Sequence, residues 1–254
     1  MALIHRDGVG IYYETHGDGP TILLTHGYSA TSAMWAPQIA ALAARYRLVL
    51  WDVRGHGASD SPEDSALYSE AACVEDMAAL LDRLGADRAV IGGLSLGGYL
   101  SLAFNVAHPD RVRALMLFDT GPGYRNADAR AGWNRMALQR ADALEARGLG
   151  ALGDGREVAA SRHRSAAGLA RAARGILTQQ DARVLESLPG VRVPTLVLVG
   201  AKDEAFLAAT DYMAAKIPGA TKVVIPEAGH AANIDQPRAF NAAVLDFLDR
   251  EILG

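Results

Sequence analysis

The segment Ala89-Val-Ile-Gly-Gly-Leu-Ser95-Leu-Gly-Gly-Tyr-Leu-Ser-Leu-Ala-Phe-Asn-Val-Ala-His108 constrains this chain more than any other. Ala89 to Ile91 form the continuous apolar run of a buried strand, while Leu96, Tyr99, Leu100, Ala103, Phe104 and Ala107 recur at helical spacing. Between the two lies Gly93-Leu94-Ser95-Leu96-Gly97, so the chain turns from strand to helix with a serine at the bend. A serine there is driven toward positive φ, and Gly93 and Gly97 remove the side chains that would collide with the turn. The bend lifts the hydroxyl above the sheet edge, where it can serve as a nucleophile. The five-residue pattern is weak by itself, because a glycine-rich turn without chemistry has the same spelling. The strand before it and the helix after it give it weight.

The same alternation runs along most of the chain. Ile11 to Thr15 reads as a strand, Gly17-Asp-Gly-Pro20 as a turn, and Thr21 to Thr25 as a fully apolar strand that leads into His26-Gly27-Tyr28-Ser29. Helical spacing at Trp35, Ile39 and Leu42 precedes a strand over Leu48 to Trp51. A polar, glycine-rich loop, Asp52 to Asp60, then leads to a helix through Cys73, Met77, Leu80, Leu81 and Leu84. Cys73 falls within that helical pattern, as a small buried residue does. After the Ser95 unit, Val112 to Phe118 is a strand, broken by Asp119-Thr-Gly-Pro-Gly123.

From Tyr124 to Leu188 no strand pattern is present, and eleven Arg face seven Asp or Glu with no Lys. This segment reads as a helical insertion of formal charge +4 in a chain of net charge −4. Trp133, Met136, Leu138 and Leu144 are its clearest inward positions, and Trp133 and Met136 are candidate pocket residues. Alternation resumes with strands at Thr195 to Val199 and Thr221 to Ile225, a helix near Phe206 to Lys216, and a closing helix from about Gln236 to Leu253. Continuous apolar strands separated by helices predict an α/β protein: a mostly parallel, doubly wound sheet covered on both faces, residues 1–123 and 189–254 forming the core and 124–188 a helical cap.

Composition narrows the function classes. With 254 residues, 50% of them hydrophobic, the chain can bury a sizeable core. Its net negative charge gives no footprint for nucleic acid, and no apolar run reaches the ~18 residues of a membrane span. The N-terminal residues lack the basic start and apolar stretch of a signal peptide, and a lone Cys73 forms no intrachain disulfide, so a cytoplasmic monomer or homodimer is expected. No His/Cys cluster has metal-ligand spacing and no dinucleotide-binding glycine pattern follows a strand, so no metal or cofactor is expected.

In a parallel sheet of this kind catalysis sits at the carboxyl ends of the strands. His26, Asp52, Ser95, Asp119, Asp203 and His230 all fall at or just past such ends. A serine hydroxyl attacks well only when a base takes its proton, and the base needs a carboxylate to fix its tautomer. Ser95, Asp203 and His230 supply these three in order, with Asp119 as the rival acid.

The chain resembles the α/β-hydrolases over nearly its whole length. The resemblance rests on His26-Gly27, Asp52-Val-Arg-Gly-His56-Gly-Ala-Ser-Asp60, Gly93-Leu-Ser95-Leu-Gly97, Gly200-Ala-Lys-Asp203 and Gly229-His230-Ala-Ala-Asn233-Ile-Asp-Gln-Pro237. It implies Ser95 as nucleophile, His230 as base, Asp203 as acid, an oxyanion hole from the backbone N–H groups of Tyr28 and Leu96, and structural roles for His26 and His56. Because position 95 is Ser, the related branches with an aspartate nucleophile are disfavoured. The expected activity is hydrolysis of a small ester or lactone. Carbon–carbon bond hydrolysis is the alternative within the family, and a small-ligand receptor or signalling protein with an intact triad is the alternative outside enzymes. The arginine excess of the insertion further raises the expectation that one of its arginines faces the pocket and receives a substrate carboxylate.

Overall fold

The computed structural model describes residues 2–253. Its strands are β1 (Ala2–Arg6), β2 (Val9–His16), β3 (Thr21–Thr25), β4 (Arg47–Trp51), β5 (Ala89–Leu94), β6 (Val112–Phe118), β7 (Thr195–Gly200) and β8 (Thr221–Ile225). The helices are α1 (Ala36–Leu42), α2 (Glu70–Arg83), α3 (Leu96–Ala107), α4 (Ala127–Arg147), α5 (Arg156–Ala159), α6 (Ala166–Ala172), α7 (Arg183–Glu186), α8 (Glu204–Lys216), α9 (Ala232–Asp235) and α10 (Pro237–Leu248). None of the helices is long and apolar enough to cross a membrane among the described residues.

The strands form one sheet in the order β1-β2-β4-β3-β5-β6-β7-β8. From β4 to β8 every pairing is parallel, while β1–β2 and β2–β4 are antiparallel. Central strands β3, β5 and β7 are buried at every position, as a sheet covered on both faces requires. One face, with Leu23, Val49, Ile91, Leu115 and Val197, packs against α2 and α3. The other, with Leu24, Leu50, Met116, Phe118 and Leu198, packs against α1 and α10. β8 alternates half-buried and exposed residues because it is an edge strand, and Lys222 on it discourages pairing with another chain.

Hydrophobic periodicity does not announce β1, where Ile4 is the one buried side chain. Its signal is Asp7-Gly8, whose φ values of 52° and 75° make the two-residue turn that suits a right-twisted hairpin. The closing helix also differs from the sequence pattern: α10 ends at Leu248 and the backbone widens to a π-helical turn over Asp249–Leu253.

Between β6 and β7 the chain carries helices only, and its arginines tie it to the rest of the molecule. Arg164 donates to the backbone oxygens of Gly57, Ala58 and Ser59, Arg171 to Pro62 O, and Arg183 to the Glu70 carboxylate. Arg174 is spent within the segment on Asp142 and Glu145.

A buried ion pair braces the loop after β4. Arg54 and Asp76 have no exposed side-chain surface and meet in two parallel hydrogen bonds of 2.8 and 2.7 Å, with Arg6 adding a third at 2.7 Å. Replacing both ions by well-packed apolar residues can be nearly neutral, whereas removing one leaves the other stranded in a medium that solvates charge poorly. Asp76→Ala should therefore cost about 3–5 kcal/mol, read as a lower urea midpoint. The pair Arg54→Met with Asp76→Leu should recover most of that loss.

Candidate active site

The turn after β5 is as tight as its glycines require. Ser95 sits at φ 55°, ψ −115°, a strained region for a residue with a side chain. A Cβ on Gly97 would lie 2.1 Å from the Thr25 carbonyl oxygen, and one on Gly93 would lie 2.4 Å from the Gly97 carbonyl carbon. The strained residue is pinned at both ends: its N–H donates to Phe118 O at 2.9 Å, and Thr120 Oγ1 donates to its carbonyl at 2.6 Å.

β3 lies beside β5, with Thr25 opposite Gly93, and strand order reverses between them. The loop after β3 is therefore delivered to the serine: a Cβ on Gly27 would stand 3.5 Å from Ser95 Cβ. Neither the Tyr28 nor the Leu96 N–H donates to another group among the described residues. Leu96 opens α3, where backbone amides are unpaired and the helix dipole favours negative charge.

Three histidines brace the Tyr28 loop. His26 donates from Nδ1 to Gly27 O at 2.7 Å and accepts from Val53 N–H at 2.9 Å. His56 Nε2 accepts from Ser29 N–H at 3.3 Å, and His163, from the helical segment, bonds Ser29 O at 2.9 Å. The His56 ring lies 5.1 Å from His26 and 5.9 Å from His163. Burial lowers the pKa of all three. His26 and His56 thus hold the loop, and His163 is a third brace that no local motif marks.

At the other end of the site, His230 Nδ1 meets Asp203 Oδ2 at 2.8 Å, and the His230 ring stacks on Phe206 at 5.2 Å. The loops that carry the pair touch: Lys202 N–H donates to Ala228 O at 2.8 Å, and a Cβ on Gly200 would fall 2.2 Å from Gly229 O. Asp119 is turned elsewhere. Its Oδ1 accepts the Gly200 N–H at 2.8 Å, and burial pushes its carboxyl well above the usual range, with the neighbouring Asp203 charge adding to the effect. The histidine thus faces Asp203 and not Asp119. No hydrogen bond joins His230 to Ser95 among the described residues, and the serine hydroxyl opens onto a cavity of about 230 Å³.

Trp133, Leu177, Gln179 and Phe206 wall that cavity together with Leu96, Tyr99 and Thr120. Met136 does not. Three residues beyond Trp133, α4 has advanced by roughly 4.5 Å, and Met136 lines a separate depression with Tyr28, Ser29, Arg140 and Arg147. The expected arginine is also absent: no Arg lines the Ser95 cavity among the described residues, while Arg164, Arg174 and Arg183 are directed to backbone oxygens and carboxylates, and Arg140 and Arg147 to that second depression. Gln179 and Phe206 were silent in the sequence, Gln179 because it lies in an irregular stretch and Phe206 because it reads as one apolar residue of a helix.

Residues 22–243 match the sequence profile of the alpha/beta hydrolase family, and the chain belongs to that family. A candidate carbamate hydrolase, RutD, of Caulobacter sp. (strain K31) is 33% identical over 264 residues, spanning 95% of this chain and 97% of that protein. Among solved structures, the enol-lactonase from Burkholderia xenovorans LB400 superposes with a TM-score of 0.79 at 28% identity, over 97% of this chain and 99% of its own. A thermophilic esterase from Thermogutta terrifontis does so with a TM-score of 0.86 at 28% identity, over 98% and 96%. The chain is a hydrolase of this fold.

The histidine brace has a consequence for stability. An unfolded histidine titrates near pH 6.5, while His26, His56 and His163 resist protonation in the fold, Asp52 opposing this only in part at His26 and His163. Below that pH the unfolded state binds more protons, so stability is complete above about pH 6.5 and falls as pH drops below it. Urea midpoints measured from pH 5 to 8 should show this fall, and His163→Gln should make it shallower.

Proposed function

We propose that this chain is a serine hydrolase that cleaves small, uncharged esters or lactones through an acyl-enzyme on Ser95. The observation that carries the reading is a strained serine opening onto an apolar cavity, flanked by two unspent backbone amides and by a histidine held by a buried carboxylate. In this reading the helices of residues 124–188 form a cap over the core of 1–123 and 189–254.

Ser95 Oγ attacks the substrate carbonyl and its proton passes to His230 Nε2. The charge that develops on the carbonyl oxygen is received by the Tyr28 and Leu96 N–H groups, in a site where such dipoles need no reorganisation. His230 returns the proton to the leaving alcohol as the carbon–oxygen bond breaks. Water, deprotonated by His230, then attacks the acyl carbon; the bond to Ser95 Oγ breaks, His230 returns the proton to Oγ, and the acid is released. Asp203 accepts from His230 Nδ1–H and stabilises the imidazolium in both halves. Hydrogen bonds of this kind often tighten only when substrate is bound, which accommodates the unpaired serine. The relatives are named for a carbamate, an enol-lactone and esters, all compounds with an acyl carbonyl, and so support this reaction class.

A fluorophosphonate should label Ser95 stoichiometrically, and Ser95→Ala should fold, remain unlabelled and lose ester turnover. Labelling that persists in Ser95→Ala would overturn the assignment. Asp203→Asn should lower kcat by about 10⁴, the loss expected when a triad carboxylate is neutralised, whereas Asp119→Asn should do far less because its carboxyl faces Gly200. The reverse ranking would make Asp119 the acid.

A further inference from the structure

We infer that Gln179 is the specificity-determining residue of the Ser95 cavity and selects substrates that carry a neutral carboxamide or carbamoyl group. This rests on the hydrolase reading above and names the substrate feature that reading leaves open.

Gln179 is 8% exposed and lines the same cavity as Ser95. Its Oε1 is closed off from solvent and has no hydrogen-bond partner, and no partner of its amide nitrogen is present among the described residues. A buried amide left unpaired is costly, so such groups are rare in folded proteins unless a ligand completes them. Three other polar side chains of the wall are already committed. Tyr99 donates to Glu70, Thr120 to the Ser95 carbonyl and Trp133 to the Leu177 carbonyl. Gln179 alone among them keeps its hydrogen-bonding capacity.

The backbone that carries the carboxamide is held by a built support. Asn134 on α4 grips the Gln179 backbone from both sides, donating to its carbonyl and accepting from its N–H, each at 2.8 Å. Opposite, Gly123 at φ 93° leaves a gap that the amide fills, since a Cβ there would lie 2.9 Å from Oε1. With Oε1 packed against Gly123, the carboxamide nitrogen is the atom left to meet a substrate, and its N–H groups donate to the carbonyl oxygen of a substrate carboxamide or carbamoyl group. No arginine or lysine lines the cavity among the described residues, so a carboxylate in the same place would lose its hydration without gaining a counter-ion.

The test compares isosteric ester pairs that differ only in this group. On the acyl side the pair is phenyl succinamate and phenyl 4-methylpentanoate; on the alcohol side it is 4-acetoxybutanamide and 4-methylpentyl acetate. In at least one pair, the ratio of kcat/KM for the amide to that for the alkyl ester should fall by about tenfold to a hundredfold in Gln179→Leu. The apolar substitution should also raise Tm, because it removes an unpaired buried group, which a merely structural residue would not do. Gln179→Met supplies the same comparison should Leu disturb folding. A ratio unchanged in both pairs, or equal losses on both members together with a lower Tm, would overturn the inference while leaving the hydrolase reading intact. Absence of turnover of all four esters by the unmodified protein would overturn both.

Discussion

The close approach of Gly97 to the end of β3 is the contact on which the site depends. With no side chain on Gly97, the start of α3 settles against the Thr25 carbonyl, and the same approach puts Ser95 beside Gly27 and the Tyr28 loop. The reversal of strand order between β3 and β5 opens a crevice there, and the strained serine comes to lie beside the loop after β3 at that edge of the sheet. The strain at Ser95 persists because neighbours over-determine it: Phe118 and Thr120 hold its backbone, and a Cβ on Gly98 would strike Thr120.

Charge in this molecule serves assembly more than recognition. The arginine-rich segment invites the idea of an anion-binding pocket, yet Arg164, Arg171 and Arg183 reach out to oxygens of the loop and helix that follow β4. The loop they reach is itself braced by the buried Arg54–Asp76 pair and by Asp52, which accepts from the Ser32 and Ala58 N–H groups. His163 completes this path from the helical segment to the Tyr28 loop. The cavity that remains is lined mostly by apolar side chains, with the unpaired Gln179 carboxamide among them.

Much of the core was legible in the sequence because β3, β6 and β8 are bounded by breakers and carry continuous or alternating apolar residues that periodicity detects. The serine turn was legible because a backbone that needs glycine on both sides writes itself into the chain. β1 escaped because one buried isoleucine makes no pattern, although Asp7-Gly8 marked its hairpin. The pocket wall escaped for a different reason. Whether Trp133 or Met136 faces Ser95 depends on how α4 is placed over the sheet, and that placement is set by contacts such as Trp133 with Leu177 and Asn134 with Gln179, between residues far apart in sequence. Formal charge misled in the same way, since a count of arginines does not say which carboxylates and carbonyls they meet.

In the proposed reaction, catalysis passes through a covalent acyl group on Ser95. Its most direct measurement is peptide mass spectrometry on the unmodified protein, quenched in acid while it turns over phenyl acetate. The expected result is an acetyl group on the peptide containing Ser95, present only with substrate and lost as substrate is exhausted. Turnover of the ester with that peptide unmodified, or with the acetyl group on another residue, would contradict it.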